Sequence, residues 1–155
     1  MNDSAQLFDS SVWIALSFGT HPFHQPAREA FERADADRPA VFCRATQQTF
    51  LRLLTTPALH ETYGCDPISN QEAWAAWETL AKLPQVGWIE EPPDLETRWQ
   101  AAACLPQPAP KRWMDAYLAA LATGHGIGLV TLDRGFRQFP GLRLHLIGDV
   151  DRGPP

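Results

Sequence analysis

The sequence predicts an α/β fold, a three-layer α/β/α sandwich around a short, mostly parallel central sheet. Short apolar runs of strand length alternate along the chain with longer segments that have helical spacing. The first of these runs and a late one, LVTL at 129–132, each end in an aspartate that precedes a helix or turn. Alternating strands and helices favour parallel strands with helices on both faces.

Composition indicates one ordinary globular domain. The chain has 155 residues, 45% of them hydrophobic, which is enough for a single core. We predict one domain over residues 1–150 and a loose tail at 151–155. No apolar run approaches the ~20 residues that a membrane-spanning helix needs, so no membrane association is expected.

The net charge and the spacing of the cysteines argue against several further classes of protein. The net charge of −5 argues against a large basic DNA-binding surface. The three cysteines are far apart and form no C-x-x-C motif, and the start MNDSAQ lacks the basic residues of a secretory signal. We therefore expect reduced thiols and a cytoplasmic location.

The predicted elements follow from periodicity, capping residues and glycine or proline stops. The predicted strands are 6–9, 39–43, 86–89, 128–132 and 142–147. The predicted helices are 12–18, capped by Ser10 or Ser11, then 27–34, 46–56, 70–83, 95–103 and 111–123. Residues 58–67 are expected to be irregular. Ser69 and Glu72 have the spacing of a capping box, and Asp94 is a candidate cap for the fifth helix.

Three aspartates stand out as candidate site residues. Asp9 and Asp133 each follow a predicted strand, and ligands of parallel sheets bind beyond the carboxyl ends of the strands. Asp115 lies on the apolar stripe of its helix, since the positions three, four and seven residues later are all apolar. An isolated ionised carboxylate on that face is costly unless it is paired, coordinated or open to a cleft.

Each aspartate also has a plainer explanation. An acid after a strand is often a turn or helix cap, and Asp115 could pair with an arginine or be favoured by the helix dipole. Taken together, however, three carboxylates at one edge repel each other unless a cation neutralises them. Oxygen ligands without Cys or His suit Mg²⁺ or Mn²⁺ better than Zn²⁺.

Gln47 occupies a similar inward position on the third helix. The matching positions after it are Phe50, Leu51 and Leu54, so its amide points toward the core or toward a pocket at the start of the helix. The alternative is a satisfied amide near the N-cap. Arg52 lies on the more polar side and is either a surface arginine or a residue that reaches the mouth of a cleft.

Four segments carry a family resemblance. LFDSSVWIAL, TQQTFLRLLTTP, WMDAYLAALATGHGIGLVTLDRGF and RLHLIG, which together span Leu7 to Gly148, resemble the PIN-domain ribonucleases. The greatest similarity is to the VapC type of toxin in bacterial type II toxin–antitoxin pairs. The resemblance implies a PIN-like sandwich and an acidic site that binds Mg²⁺ or Mn²⁺ and cleaves RNA.

The resemblance also assigns roles to individual residues. It makes Asp9, Asp115 and Asp133 the metal-binding catalytic residues, with Ser11 and Thr131 as small hydroxyl residues that orient a carboxylate or a water. Many members of the family carry a glutamate where we align Gln47, and that change removes one negative charge. It puts tight binding of a second metal in doubt. One branch of the toxins has a similar T-Q-x-x-F-L-R pattern.

Arginines near the predicted site are candidate contacts to RNA phosphates. These are Arg52, Arg112, Arg134 and Arg137, of which Arg52 could instead contact an antitoxin. The resemblance further implies a homodimer and a small antitoxin whose tail enters the cleft with an arginine facing the aspartates.

The function that we expect is that of a Mg²⁺- or Mn²⁺-dependent endoribonuclease toxin that is neutralised by a cognate antitoxin. One alternative is a catalytically weakened PIN-fold module that binds RNA or protein, with Gln47 marking decay of the site. The other is an α/β phosphotransfer domain with Asp9 as nucleophile. The sequence disfavours that one, because Ser11 stands where a second aspartate is expected.

Overall fold

The computed structural model describes residues 4–148, and the tail predicted at 151–155 lies outside that range. Within it, five parallel strands form one sheet in the order β3-β2-β1-β4-β5. The strands are β1 (Gln6–Phe8), β2 (Ala40–Phe42), β3 (Val86–Trp88), β4 (Gly128–Thr131) and β5 (Leu144–Leu146). The helices are α1 (Ser10–Ser17), α2 (His24–Glu32), α3 (Arg44–Leu54), α4 (Pro57–Tyr63), α5 (Asn70–Ala81), α6 (Leu95–Ala103) and α7 (Arg112–Gly124), with a 3-10 helix at Arg134–Gln138.

The core has two halves, one on each face of the sheet. Successive strand residues point to opposite faces, so Leu7 packs with residues of α6 and α7, while Phe8 packs with residues of α1, α3 and α5. Both residues are buried. This arrangement confirms the predicted three-layer α/β/α sandwich.

Trp13 fixes the direction in which the chain leaves β1. Its ring stacks on Phe42 of the neighbouring strand, with centroids 4.0 Å apart and planes 8° apart. Its indole Nε1 donates to the Phe8 carbonyl oxygen at 3.1 Å. The ring is fully buried, so these contacts fix the turn between β1 and α1, where Asp9 lies, against the core.

Several predicted boundaries need correction at the helix starts. Neither Ser10 nor Ser11 caps α1: the N-cap is Asp9, whose side chain accepts from the backbone nitrogen of Ser10, and β1 ends one residue earlier at Phe8. Helix α3 begins at Arg44 rather than Thr46, because Thr46 is the third residue of a capping box with Cys43. Helix α2 begins at His24, three residues before its predicted start.

The expectation of an irregular segment at 58–67 is wrong for its first half. Helix α3 ends at Leu54, two residues before its predicted end at residue 56. Pro57 is instead the first residue of α4, where its fixed φ and missing N–H are tolerated. Gly64 then stops α4 with a positive φ of 67°. By contrast, the capping box of Ser69 and Glu72 is confirmed at the start of α5.

No helix within residues 4–148 is long and apolar enough to cross a membrane.

Candidate functional site

The strand register brings two chain segments together at the carboxyl edge of the sheet. β1 and β4 pair in parallel with Phe8 opposite Val130, and the backbone nitrogen of Asp9 extends this ladder by donating to the Val130 carbonyl at 2.9 Å. Asp9 and Thr131 are therefore neighbours although 122 residues separate them. The sequence prediction that Asp9 and Asp133 lie close together at this edge depends on the same pairing of β1 with β4.

The Asp9 carboxylate is held by three hydrogen bonds. Its Oδ1 accepts from the backbone nitrogen of Ser10 at 2.7 Å. Its Oδ2 accepts from the Ser11 hydroxyl at 3.0 Å and from the Thr131 hydroxyl at 2.8 Å. Burial raises the pKa of Asp9, more than these three hydrogen bonds lower it, and the Asp133 charge raises it a little further.

Both hydroxyls also accept from the backbone after β4. The Leu132 nitrogen donates to Ser11 Oγ at 3.2 Å, and the Asp133 nitrogen donates to Thr131 Oγ1 at 3.0 Å. Each hydroxyl has a single proton, which it donates to Asp9, and it accepts from a backbone nitrogen. The orientation of both hydroxyl groups is therefore fixed. Ser11 and Thr131 thus tie the Asp9 carboxylate to the backbone that carries Asp133.

Asp115 is supported differently. It lies in the first turn of α7, is half-buried, and makes no hydrogen bond or ion pair with any residue of the described part of the chain. Burial, together with the charges of Asp133 and Asp9, raises its pKa to about 6. The alternative of a salt bridge to an arginine is therefore wrong. The other alternative holds in part, because Asp115 does lie near the positive end of the helix dipole.

Burial and the charges of Asp133 and Asp9 raise the pKa of Asp115, but the three side chains do not form a closed metal site. Over residues 4–148, no group of three or more His, Cys, Asp or Glu side chains is positioned to hold a metal ion. The donor set nevertheless fits a hard cation, because it consists of carboxylate and hydroxyl oxygens. A bound cation would offset both the burial that chiefly raises the pKa of Asp115 and the repulsion by Asp133 and Asp9 that adds to it. Metal binding stays a prediction.

Gln47 is buried, with 2% of its surface exposed, which confirms that it points inward. Its Oε1 accepts from an Arg44 guanidinium nitrogen at 2.6 Å. Its Nε2 is buried and has no partner within the described residues. The alternative of a fully satisfied amide is therefore only half right.

The predicted RNA-binding arginines occupy very different positions. Arg52 is in the last turn of α3, about 12 Å along the helix from its start. The Arg112 guanidinium donates to the Ala102 carbonyl at 2.7 Å and to the Gln138 side chain, and lies 4.8 Å from the ring centroid of Phe139. Arg52 is thus remote from the start of α3, and Arg112 has part of its guanidinium engaged within the protein; a role of either in RNA binding stays a prediction. Arg134 and Arg137 are exposed in the 3-10 helix that follows Asp133.

Arg44 is the residue that sequence reasoning missed. It is exposed, directly follows β2 and its Cys43 cap, and stacks its guanidinium 4.8 Å from the centroid of the Trp88 ring. The available signal was its position just past the end of a strand, the same signal that identified Asp9 and Asp133.

Comparison with known proteins identifies the family of the chain. The sequence profile of the PIN domain matches residues 7–142. The protein named ribonuclease VapC41 of Mycobacterium tuberculosis is 42% identical over 142 residues, which cover 91% of this chain and 97% of that protein. The ribonuclease VapC31 of the same organism is 32% identical over 139 residues, which cover 88% of this chain and 94% of that protein.

Solved structures share the fold at low sequence identity. VapBC2 from Rickettsia felis, solved bound to a DNA fragment from its promoter, has a TM-score of 0.65 at 9% identity over 92% of this chain and 98% of that one. VapC20 of Mycobacterium tuberculosis, described as a toxin that cleaves the Sarcin-Ricin loop, has a TM-score of 0.61 at 19% identity over 90% of this chain and 99% of that one. With the sequence matches above, the chain belongs to the PIN-domain family, in its VapC branch.

Proposed function

We propose that this protein is a Mg²⁺- or Mn²⁺-dependent endoribonuclease and the toxin of a toxin–antitoxin pair. The observation that carries the proposal is the geometry at the carboxyl edge of the parallel sheet, where Ser11 and Thr131 hold the Asp9 carboxylate next to the backbone that carries Asp133. The charges of Asp9 and Asp133 also act on Asp115, which is in the first turn of α7. Relatives named as ribonucleases at 42% and 32% identity support the reaction class. Solved relatives described as VapBC and toxin–antitoxin complexes support a small protein partner.

The residues divide the work of the reaction. Asp9, Asp115 and Asp133 would hold the ion, which when bound supplies a water of lowered pKa and positive charge facing the phosphate. Ser11 and Thr131 keep the Asp9 carboxylate oriented, as hydrogen-bonding neighbours of a metal ligand commonly do. Arg134, exposed beside Asp133, is a candidate contact to the RNA backbone.

The substrate that fits best is single-stranded or looped RNA. Asp133 is exposed, and Asp115 is only half-buried, so the acidic centre opens to the surface rather than into a closed cavity. Unpaired RNA can present its backbone to such a site and splay its bases aside, which an A-form duplex resists.

A cleavage assay tests the proposal directly. Purified protein should cut a single-stranded RNA in Mg²⁺ or Mn²⁺ and stop in EDTA, and Asp133→Asn should abolish cutting without unfolding the chain. Asp66→Asn, which changes an exposed acid, is the matched control and should cut normally. If the RNA stays intact after incubation with folded wild-type protein and either ion, the proposal that the protein is an endoribonuclease is refuted.

The toxin role and the predicted homodimer need separate measurements. Co-expression with the product of an adjacent small reading frame should suppress cleavage and yield a stable complex. Light scattering of the purified protein should give twice the chain mass if the homodimer forms. Free cutting in the presence of that product would remove it as the antitoxin.

One observation favours a second candidate, a PIN-fold module that binds RNA or protein without cutting. Gln47 fills the position where the family resemblance predicts a carboxylate, and its amide is already engaged by Arg44. Calorimetric titration with Mn²⁺ separates the two candidates. The enzyme should bind the ion with an affinity that Asp9→Asn lowers, whereas an inactive module should give no such heat.

A further inference from the structure

The first turn of α3 lies beside the acidic centre. β1 and β2 are neighbouring parallel strands, and Asp9 and Cys43 are the residues that directly follow them and cap α1 and α3. The charge of Asp9 contributes to the raised pKa of the Cys43 thiol, which burial dominates. Arg44 is the next residue and therefore begins its helix at the edge of this centre.

A second contact joins the two helix starts. The Ser10 hydroxyl, in the first turn of α1, donates to the Thr46 carbonyl of α3 at 3.3 Å, and both residues are buried. The start of α3 is thus fixed relative to the turn that carries Asp9.

The Arg44 guanidinium is held by neutral groups. It donates to the Gln47 Oε1 at 2.6 Å and lies over the Trp88 ring at 4.8 Å. Within residues 4–148 it forms no ion pair. Glu90 and Glu91 line a cavity together with Arg44 but hydrogen-bond to other groups: Glu90 accepts from the Trp88 indole at 2.7 Å, and Glu91 accepts from the Tyr117 hydroxyl at 2.8 Å.

The amide at position 47 decides what this cation can do. A carboxylate there would form an ion pair with Arg44 and cancel much of its charge. The amide instead orients the guanidinium and leaves its full charge and its remaining N–H groups available. The positive end of the α3 dipole adds to the same potential.

We propose that Arg44, oriented by Gln47 and Trp88, binds a phosphate of the RNA chain beside the acidic centre. A guanidinium matches two phosphate oxygens with parallel N–H bonds, which makes it the side chain best suited to this contact. This inference rests on the proposed function, since it presumes that RNA is the substrate. It gives Gln47 a role as a positioning residue and not as a weakened metal ligand.

The test measures RNA binding apart from cutting. A short fluorescent single-stranded RNA is titrated with protein in EDTA, and its anisotropy is followed at several salt concentrations. Each phosphate contact to single-stranded RNA contributes about 0.7 to the slope of log affinity against log salt. Arg44→Ala should lower that slope by about 0.7 and weaken binding about tenfold at low salt.

Two further variants sharpen the result. Arg28→Ala removes another exposed arginine, on α2, where it pairs with Glu32, and should leave the slope unchanged. Gln47→Glu keeps Arg44 but pairs it with a carboxylate, and should lower the slope nearly as much as Arg44→Ala. Thermal unfolding checks that each variant is folded.

The outcomes distinguish this inference from the proposed function. A wild-type protein that binds the RNA, combined with an unchanged slope in Arg44→Ala, overturns the phosphate site whether or not the protein cuts RNA in Mg²⁺. Absence of RNA binding by the wild type overturns it as well. Binding with the expected slope change but no cutting in Mg²⁺ retains the phosphate site and refutes the nuclease.

Discussion

Asp9 and Asp115 approach the same centre with opposite degrees of support. Asp9 sits in a turn pinned by the stacked Trp13 and accepts three hydrogen bonds. Asp115 accepts none from the described residues and carries a pKa raised to about 6. One carboxylate is oriented in advance, while the other remains uncompensated.

The difference suggests separate roles for the two carboxylates in the proposed cation site. The fixed carboxylate of Asp9 would set where an ion binds, and the uncompensated one of Asp115 would gain most from it, since an ion would relieve the cost of its burial and the repulsion by its acidic neighbours. If all three carboxylates were hydrogen-bonded to the protein, the gain on binding would be smaller.

The largest expected effect is on catalysis. Asp9→Asn and Asp115→Asn should each lower the rate of RNA cleavage by about 10³-fold, because loss of one carboxylate removes several kcal/mol of charge stabilisation. Single-turnover cleavage in Mg²⁺ measures both variants. Asparagine remains a good N-cap, so Asp9→Asn should keep α1. If either folded variant cuts like the wild type, that aspartate has no part in the reaction.

A smaller effect is expected from the support of Asp9. Thr131→Val removes the hydroxyl that joins Asp9 to the Asp133 backbone at nearly constant volume. Metal affinity or cleavage should fall about 10–100-fold, as is usual for groups that orient a ligand. Thr79→Val, which alters an exposed threonine on α5, is the control. A Thr131→Val enzyme of normal activity would mean that orientation of Asp9 is unimportant.

The smallest effect concerns stability without metal. Since the folded pKa of Asp115 is about 6 and its ordinary value is 3.8, the folded state binds the proton more tightly. Stability in EDTA should therefore fall as the pH rises from about 4 through 6. Asp115→Asn should reduce that fall and raise the melting temperature at pH 7.5 by about 2–4 °C.

Differential scanning calorimetry across this pH range provides the measurement. Asp9→Asn is the informative comparison: it also removes a buried carboxylate of raised pKa, but it disturbs three hydrogen bonds to that carboxylate, so it should stabilise the protein less than Asp115→Asn. Equal stabilisation by the two variants would erase the distinction between a fixed and an uncompensated carboxylate.

The sequence was sufficient for the sheet and for the inward faces of its helices. Asp9 and Asp133 follow apolar runs, and parallel strands bring such positions to one edge whatever their separation along the chain. Gln47 was identified from helical spacing alone and is buried. These features depend on periodicity, which a single sequence displays.

What the sequence did not reveal depends on contacts between distant segments. The sequence predicts an RNA contact for Arg112 because it is a cation near Asp115, but it does not show that the guanidinium also contacts the Ala102 carbonyl and the Phe139 ring. Arg44 was overlooked because its partner Trp88 lies 44 positions away. The sequence pattern indicates only that Pro57 ends a helix, although a proline can also be the first residue of one.

The strand order has a consequence for how the protein is made. β4 inserts between β1 and β5, so Thr131 completes the support of Asp9 only after α7 and β4 have been synthesised. A nascent chain that ends before β4 therefore carries Asp9, Arg44 and Asp115 without Thr131 or Asp133. If the proposed site is the catalytic one, this order of synthesis keeps the activity latent until β4 and the residues after it have been made.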